Sequence, residues 1–438
     1  MRLILESGSS ALTAVGIRAG KAGAGRGRAV AAASLGNALE WYDFTIYVQF
    51  AVHIAHAFFP GGSATTELLK TFLAFGVGFI VRPLGAVLIG LYGDRAGRKA
   101  ALTLTIGLMA VGTFIIAVAP TYAVLGVGAP VLILAGRLLQ GFSAGGEIGG
   151  AAAFLVEYAE PGRKGLYAAW LQASMAFSNI LGALVALAVG GLLSQAQVGE
   201  WGWRIPFLLG LVIAPVGFWL RANLDESPQF IASPAEQAVS RPLVELFGRR
   251  FGGLLRGFAI SVLWAVCVYA LVIYMPTHVQ RTLGFSSNQA FAASLIGNIG
   301  LAACCFVSGA LSDRFGHRRV LTFSATALLV GAPLLMLALQ AHPTLGVLIL
   351  AQSLFCGLVG LFSGSAPSAL AQIFPTNIRS TGMSIAYNAA VTLFGGFAPA
   401  ILTWLSGTAA GALAPAFYVA GAAVVGLAGV LAPGARQD

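Results

Sequence analysis

Twelve apolar runs of about 20 residues, separated by short polar stretches, account for most of this 438-residue chain. A helical run of that length spans a bilayer, whereas a membrane strand needs only about 10 residues of alternating polarity. Charged residues make up 9% of the chain and hydrophobic residues 58%, while a soluble domain carries about 25% charged residues. The pattern predicts an all-α membrane protein with twelve transmembrane helices.

The order of the runs predicts two bundles. The runs are centred near residues 42, 80, 110, 138, 180, 212, 266, 299, 330, 358, 393 and 422. The longest polar interruption leaves six runs on either side of it. We therefore predict a cytoplasmic N-terminal tail at residues 1–28, a six-helix bundle at 29–222, a cytoplasmic linker at 223–250 and a second six-helix bundle at 251–438.

The Lys and Arg residues predict the orientation. If both termini are cytoplasmic, 20 of the 25 Lys and Arg residues fall on that side, and only Lys70, Arg204 and Arg281 fall near the outer side. Cytoplasmic loops carry such an excess of positive charge. The net charge of +10 is spread over these loops rather than gathered in one patch, so it does not indicate a nucleic-acid partner.

The sequence gives no sign of a cofactor or of enzymatic chemistry. The four cysteines lie inside apolar runs, at spacings that fit neither a disulfide framework nor a zinc site. The chain has no Walker-type Gly-Lys-Ser/Thr and no recognisable nucleophile–base pair. We therefore expect no metal, no cofactor, no ATP-driven step and no enzyme activity.

A loop motif occurs once in each predicted bundle. GDRAGRK, Gly93–Lys99, follows the second run, and LSDRFGHRR, Leu311–Arg319, follows the eighth. Both place an Asp-Arg pair before a glycine and basic residues, at the same point of each six-helix half. Two repeated halves with a site between them are a transporter plan. A channel is disfavoured by this doubled motif.

These motifs resemble those of the major facilitator superfamily, and GRLLQGFSAGGEIGG resembles the motif of its fourth helix. The segments GNALEWYDFTIY, FIVRPLGAVLIGLYGDRAGRK, EWGWRIPFLLG and FPTNIRSTGMSIAYN are similar to the metabolite:proton symporter branch. That branch contains carriers for citrate, alpha-ketoglutarate, shikimate and proline or betaine, and the citrate carriers resemble this chain most. The resemblance covers about residues 34–430. It implies alternating access by a monomer in the bilayer of a bacterial inner membrane.

Carboxylates within the predicted spans are candidates for proton coupling, because a charge in the bilayer core needs a partner or a function. Glu40 and Asp43 lie three residues apart, and therefore on one helix face. Two such carboxylates cannot both ionise at low cost, so one can hold an exchangeable proton. Asp43 is the first candidate, Glu40 the second, and Glu147 either a relay or a packing position. The alternative is a structural ion pair with a buried arginine.

The second half offers no such group. After Glu245 the sequence contains only two acidic residues, Asp313 in a loop and Asp438 at the end. Proton coupling through a buried carboxylate is therefore predicted to be a property of the first half.

Two arginines inside the spans are candidates for binding an anionic substrate. Arg82 precedes Pro83 in the second span and Arg137 lies in the fourth. A guanidinium matches a carboxylate with two hydrogen bonds, although each arginine could instead form a buried ion pair. Other candidate substrate-binding residues, each of which could equally join two helices, are Tyr42, Tyr47, Gln140, Gln172, Tyr387 and Asn388.

The resemblance implies that the two loop motifs gate the transport path by contacts that form and break at the inner side. The predicted gating residues are Gly93, Asp94, Arg95, Gly97, Arg98, Asp313, Arg314, Gly316 and Arg318. Gly97 and Gly316 permit tight turns that other residues would strain.

These observations and the resemblance together predict a proton-coupled symporter that imports a small organic acid, a di- or tricarboxylate such as citrate. A carrier of a zwitterion such as betaine or proline, or of a shikimate-like metabolite, is the alternative. An exporter of cationic drugs would want an acidic cavity, and the two buried arginines disfavour it.

Overall fold

The computed structural model describes residues 30–31, 34–96, 98–145, 147, 151–152, 155–156, 159–160, 162–222, 242–375 and 378–433. The predicted tail, residues 1–28, and residues 223–241 of the predicted linker lie outside these described residues. Across the described ranges the chain contains helices and no strand. All twelve predicted centres fall within helices.

The helices of the first half form six spans, of which the first two are each built from two consecutive helices. They are α1 (34–49), α2 (Ala51–Phe58), α3 (Ala64–Ile80), α4 (Arg82–Ala96), α5 (Arg98–Val118), α6 (Tyr122–Leu125), α7 (Gly128–Gly145), α8 (Lys164–Leu192), α9 (Gln195–Glu200) and α10 (Ile205–Ala222).

The second half forms six further spans, and two of these contain a π-helical segment. Its helices are α11 (Pro242–Phe247), α12 (Phe251–Cys267), α13 (Met275–Thr282), α14 (Ser287–Phe315), α15 (His317–Ala341), α16 (Leu345–Ser363), α17 (Ala366–Ile373), α18 (Arg379–Ala390), α19 (Ala398–Ser406) and α20 (Ala414–Leu431). The π-helical segments are Val268–Ile273, which follows α12, and Val391–Gly395, which follows α18.

Within the described residues, nine helical stretches are long and apolar enough to cross a membrane. Most of these stretches are only about half buried inside the protein. The outward surface of the protein carries large apolar side chains such as Val124, Trp404 and Phe323. A soluble surface would not expose so many of them. The helical surface is therefore suited to contact with lipid.

The two halves touch at both ends of the molecule. We call the end at which α1 begins the inner end, after the predicted orientation, and the opposite end the outer end. At the inner end Gly165 of α8 packs closely against Gly309 of α14. At the outer end Arg281 Nη2 donates to Thr65 Oγ1 over 2.7 Å. Because contacts close both ends, the side chains between the halves are enclosed.

A proline creates one of the contacts between the halves. Pro83 has no N–H and therefore cannot bond to the carbonyl of Phe79, one helical turn earlier. The hydroxyl of Thr392, from the second half, donates to that carbonyl over 3.0 Å. The break in the second span thus fixes where the eleventh span crosses it, beside Arg82.

Glycines bring the second and fourth spans into backbone contact. A Cβ at Gly141 would collide with the carbonyl oxygen of Gly78, and one at Gly145 would collide with the carbonyl oxygen of Arg82. Small residues permit such close approach of helices in a membrane. The packing holds the backbones that carry Arg82 and Arg137 at a fixed separation.

Candidate functional site

Glu40 and Arg82 form a buried ion pair in the first half. Arg82 Nη2 donates to Glu40 Oε1 over 2.5 Å, and the two side chains are 0% and 2% exposed. The guanidinium also lies over the rings of Phe79, at 4.4 Å, and Phe44, at 5.1 Å. The ion pair that the sequence offered as the alternative for Glu40 is thus present, and a role of Glu40 in proton coupling stays a prediction. Arg82 Nε and Nη1 have no hydrogen-bond partner among the described residues.

Asp43 accepts hydrogen bonds from neutral groups. The Thr113 hydroxyl donates to Asp43 Oδ2, and Gln140 Nε2 donates to the same oxygen over 3.3 Å. Gln140 Nε2 also lies 3.0 Å from the Thr113 hydroxyl. No cation of the described chain lies within 4.0 Å of the Asp43 carboxylate. Asp43 is thus fully enclosed and held by groups that bind it with or without a proton.

Arg137 lies in an aromatic cage next to this cluster. Its guanidinium carbon is 4.5 Å from the Phe75 ring, 4.7 Å from Tyr47 and 5.0 Å from Phe44. Cation–π contacts of this kind stabilise a desolvated cation by about 2 kcal/mol or more. Arg137 Nη1 donates to Gln140 Oε1 over 2.7 Å. Gln140 therefore connects Arg137 on one side of its amide to the carboxylate cluster on the other.

A small cavity inside the first bundle adjoins all three predicted coupling residues. Its lining includes Glu40, Asp43 and Glu147, together with Thr113 and Ser143. It offers about 20 Å³ to the centres of water molecules, enough for one bound water. Glu147 is 5% exposed. The predicted acids are therefore brought to one cavity, although Glu40 and Asp43 lie on α1 and Glu147 lies in a turn beyond the end of α7.

The second half contributes aromatic and amide groups to the enclosed region. Trp264 Nε1 donates to Gln172 Oε1 across the two halves over 3.3 Å, and its ring lies 4.6 Å from that of Tyr387. Asn388 is 1% exposed, and neither atom of its amide has a partner within the described structure. Gln172, Tyr387 and Asn388 thus lie where the two halves meet.

Two predicted substrate-binding tyrosines point elsewhere. Tyr42 donates its hydroxyl to the carbonyl of Pro206, on α10 of the same half, over 3.0 Å. Tyr47 donates to the carbonyl of Thr71 over 3.2 Å, although its ring forms one wall of the cage around Arg137. In this state the Tyr42 hydroxyl binds within the first bundle rather than at the interface.

The loop motif of the second half joins the two halves at the inner end. The Asp313 carboxylate accepts hydrogen bonds from the backbone N–H groups of Gly165 and Leu166, over 2.7 Å and 3.0 Å. These are the first N–H groups of α8, which have no partner inside their helix and carry its positive dipole end. Asp313 thus caps a helix of the opposite half.

The remaining gating predictions concern the second loop motif, whose side chains the structure describes, and the first, whose side chains it does not. Gly316 separates α14 from α15 with φ of +86°, a conformation that favours glycine. Arg318 donates to the carbonyl of Leu431, and Arg314 lies over the ring of Phe315. The side chains predicted in the first loop, those of Gly93, Asp94, Arg95, Gly97 and Arg98, lie outside the described residues.

Sequence reasoning missed several residues of this site. Thr113, which binds Asp43, is one of three threonines in the third span, and Tyr269 is one of two tyrosines in the seventh. A polar side chain in an apolar run is only a weak signal for either residue, because the same runs contain other side chains of the same type. Phe44, Phe75 and Phe79, whose rings surround the arginines, carried no such signal because phenylalanines are common throughout the spans.

The sequence model of the Major Facilitator Superfamily matches residues 33–399. The chain belongs to this superfamily. Its members are transporters, and this protein is a multi-pass membrane transporter rather than an enzyme. The solved structure titled "Crystal structure of D-xylose-proton symporter" matches the fold of this transporter with a TM-score of 0.75 at 19% identity, over 94% of this chain and 99% of that one.

Two curated relatives narrow the branch to the predicted metabolite:proton symporters. The citrate-proton symporter of Klebsiella pneumoniae is 36% identical over 407 residues, which cover 93% of this chain and 91% of the relative. The proline/betaine transporter of Escherichia coli (strain K12) is 33% identical over 410 residues, which cover 91% of this chain and 82% of the relative. The relatives thus include carriers named for an anion and for zwitterions.

Proposed function

We propose that this transporter is a proton-coupled symporter that imports a small organic acid, a di- or tricarboxylate such as citrate, by alternating access. The observation that carries the proposal is the arrangement around Gln140. Its amide binds the carboxylate of Asp43 with one atom and the guanidinium of Arg137 with the other. Gln140 thereby links the carboxylate of Asp43, which can bind a proton, to the guanidinium of Arg137, which can bind an anion.

The balance of buried charge couples the binding of the proton to the binding of the substrate. Arg82 and Arg137 bring two positive charges to the cluster, and Glu40 and Asp43 bring two negative charges when both are ionised. Glu147 lines the same cavity, and protonation of Asp43 makes the whole cluster more positive by one charge, which favours an anionic substrate. An ionised Asp43 repels the same anion, so the proton and the substrate favour each other's binding. Reciprocal coupling of this kind is what a symporter requires.

The charges and donors of the site support a carboxylate substrate. Arg82 has two guanidinium nitrogens that make no hydrogen bond to the described residues, at the interface of the halves. Buried donors to a charged acceptor form the stronger class of hydrogen bonds. The relative named for citrate points the same way. The relative named for proline and betaine makes a zwitterion the second candidate, although Arg137 already occupies the aromatic faces of Phe44, Tyr47 and Phe75 that an ammonium group would seek.

Alternating access would use the contacts that now close both ends. Release of the Asp313 carboxylate from the start of α8 would open the inner end, and release of Arg281 from Thr65 would open the outer end. The first-loop motif, Gly93–Lys99, would act with Asp313 at the inner end, which we place in the cytoplasm together with both termini. The bacterial inner membrane is the proposed location.

Uptake into liposomes tests the function. Purified protein is reconstituted, and entry of radiolabelled citrate is followed with and without an imposed pH gradient, acid outside. We expect accumulation only with the gradient, and competition by unlabelled citrate but not by excess betaine or proline. Gradient-independent movement of citrate would refute proton coupling. Competition by betaine and proline alone, with no citrate uptake, would establish the zwitterion carrier instead.

A further inference from the structure

The two π-helical segments of the second half meet at the centre of the molecule. Tyr269 lies in the first, Val268–Ile273, and a Cβ on Gly395 of the second, Val391–Gly395, would be 2.9 Å from the Tyr269 ring. π-Helix is rare, occurs mostly as single turns within α-helices, and is frequent at functional sites. Here both turns face the arginine-bearing half.

Tyr269 is enclosed without a partner for its hydroxyl. Its ring lies 5.6 Å from that of Trp41 and 5.6 Å from that of Phe79, and its exposure is 0%. The hydroxyl makes no hydrogen bond to any described residue. Phe79 also carries the guanidinium of Arg82 on its face. The phenol and the arginine therefore approach the same ring from opposite halves of the protein.

Asn388 lies at the level of Arg82. Phe397 contacts Gly76, and Thr392 bonds to Phe79, so the eleventh span runs antiparallel to the second. One helical turn before Thr392 is Asn388, and one turn after Phe79 is Arg82. Helices α18 and α4, which carry these two residues, are in contact.

Unpartnered polar groups thus converge from both halves. They are two guanidinium nitrogens of Arg82, the hydroxyl of Tyr269, and both the NH₂ and the carbonyl of Asn388. Protein interiors seldom leave such groups unsatisfied, and a cluster of them needs an explanation. Four of these five groups donate hydrogen bonds, as a carboxylate requires. The amide carbonyl of Asn388 can only accept one, which a carboxylate cannot supply.

We propose that Tyr269 and Asn388 complete the substrate site with Arg82, and that the substrate is a hydroxy acid. Its carboxylate accepts from Arg82, from the Tyr269 hydroxyl and from the Asn388 NH₂. Its hydroxyl group donates to the Asn388 carbonyl. This inference rests on the proposed function, and adds to it the two contacts of the second half and a hydroxyl group on the substrate.

Three variants test the assignment. Tyr269→Phe removes only the hydroxyl, Asn388→Leu replaces the amide by an apolar group of similar size, and Tyr274→Phe is the matched control. Tyr274 is a second buried tyrosine of the seventh span, and its hydroxyl lies 2.9 Å from that of Thr403. Binding of citrate and of tricarballylate, which has the three carboxylates without the hydroxyl, is measured by competition against radiolabelled citrate. Thermal unfolding is followed for each variant without substrate.

We expect Tyr269→Phe to bind citrate about tenfold more weakly without loss of Tm, since its hydroxyl makes no hydrogen bond to the described residues of the empty protein. Tyr274→Phe should lower Tm and leave citrate affinity unchanged. The wild type should prefer citrate to tricarballylate by about tenfold, and Asn388→Leu should lose that preference.

Wild-type affinity in both Tyr269→Phe and Asn388→Leu would overturn this assignment while leaving the proposed symport intact. An equal preference of the wild type for citrate and tricarballylate would overturn the hydroxyl contact. If the wild type bound none of these acids, the proposed function itself would be refuted.

Discussion

Replacement of Asp43 by asparagine should make substrate affinity independent of the protonation of residue 43. The amide keeps the shape of the side chain and can still accept from Thr113, but it carries no charge at any pH. Gln140 contacts Asp43 over 3.3 Å and Arg137 over 2.7 Å. A carboxylate bound to Arg137 would thus lie about 8 Å from Asp43, and at an effective dielectric constant of about 20 two unit charges at that separation repel by about 2 kcal/mol. That energy corresponds to about 30-fold in affinity.

The assay compares the citrate dissociation constants of the wild type and Asp43→Asn at the same pH, so that the titration of citrate itself cancels in the ratio. At a pH low enough to protonate Asp43, the two proteins should bind citrate alike. At about pH 8.5 the ionised Asp43 of the wild type should weaken binding about 30-fold relative to the variant. In liposomes the variant should lose accumulation driven by a pH gradient and keep exchange of citrate across the membrane.

Glu200→Gln serves as the control, because it is the same change from acid to amide at an exposed position near the outer end. It should behave as the wild type in both assays. Equal citrate affinity of the wild type and the variant at both pH values would show that the charge of Asp43 has no influence on the anion. Full gradient-driven accumulation by Asp43→Asn would refute its role in coupling.

Three further substitutions probe the binding, gating and packing arguments. Arg82→Lys should weaken citrate binding by about 30-fold in competition assays, because an ammonium cannot replace the fork of donors; unchanged affinity would contradict substrate contact. Asp313→Asn should speed hydrogen exchange of the first amides of α8 by about tenfold, since they lose a charged acceptor; unaltered exchange would contradict the clamp. Gly141→Ala should lower Tm and expression, because its Cβ meets the carbonyl of Gly78, whereas Gly107→Ala, with open space around it, should not; equal Tm values would contradict the packing argument.

The number and position of the spans could be predicted because the bilayer fixes their length. Each run of about 20 apolar residues must be helical to satisfy its own backbone, and all twelve predicted centres lie in helices. The bilayer also made Glu40, Asp43, Arg82 and Arg137 identifiable as candidate site residues. A charge in the membrane core costs several kcal/mol to bury, so a charged residue within an apolar run needs a partner or a function.

The partnerships of those residues could not be predicted, because they depend on how the helices rotate and cross. Sequence spacing placed Glu40 and Asp43 on one face, yet Glu40 pairs with Arg82 while Asp43 binds Thr113 and Gln140. Gln140 could be predicted as a polar group in the fourth span, but its position between a carboxylate and a guanidinium depends on the glycine-mediated packing of that span.

The unpartnered groups suggest why substrate should control the conformation. Each buried donor or acceptor without a partner costs about 1–3 kcal/mol, and Arg82, Tyr269 and Asn388 together present several. In either open state water can reach and satisfy them, so an empty carrier should avoid the enclosed state. A bound organic acid satisfies the same groups, and a proton on Asp43 removes the repulsion that the acid would otherwise meet. Closure at both ends is therefore favoured only when substrate and proton are bound together, and this condition prevents either from crossing alone.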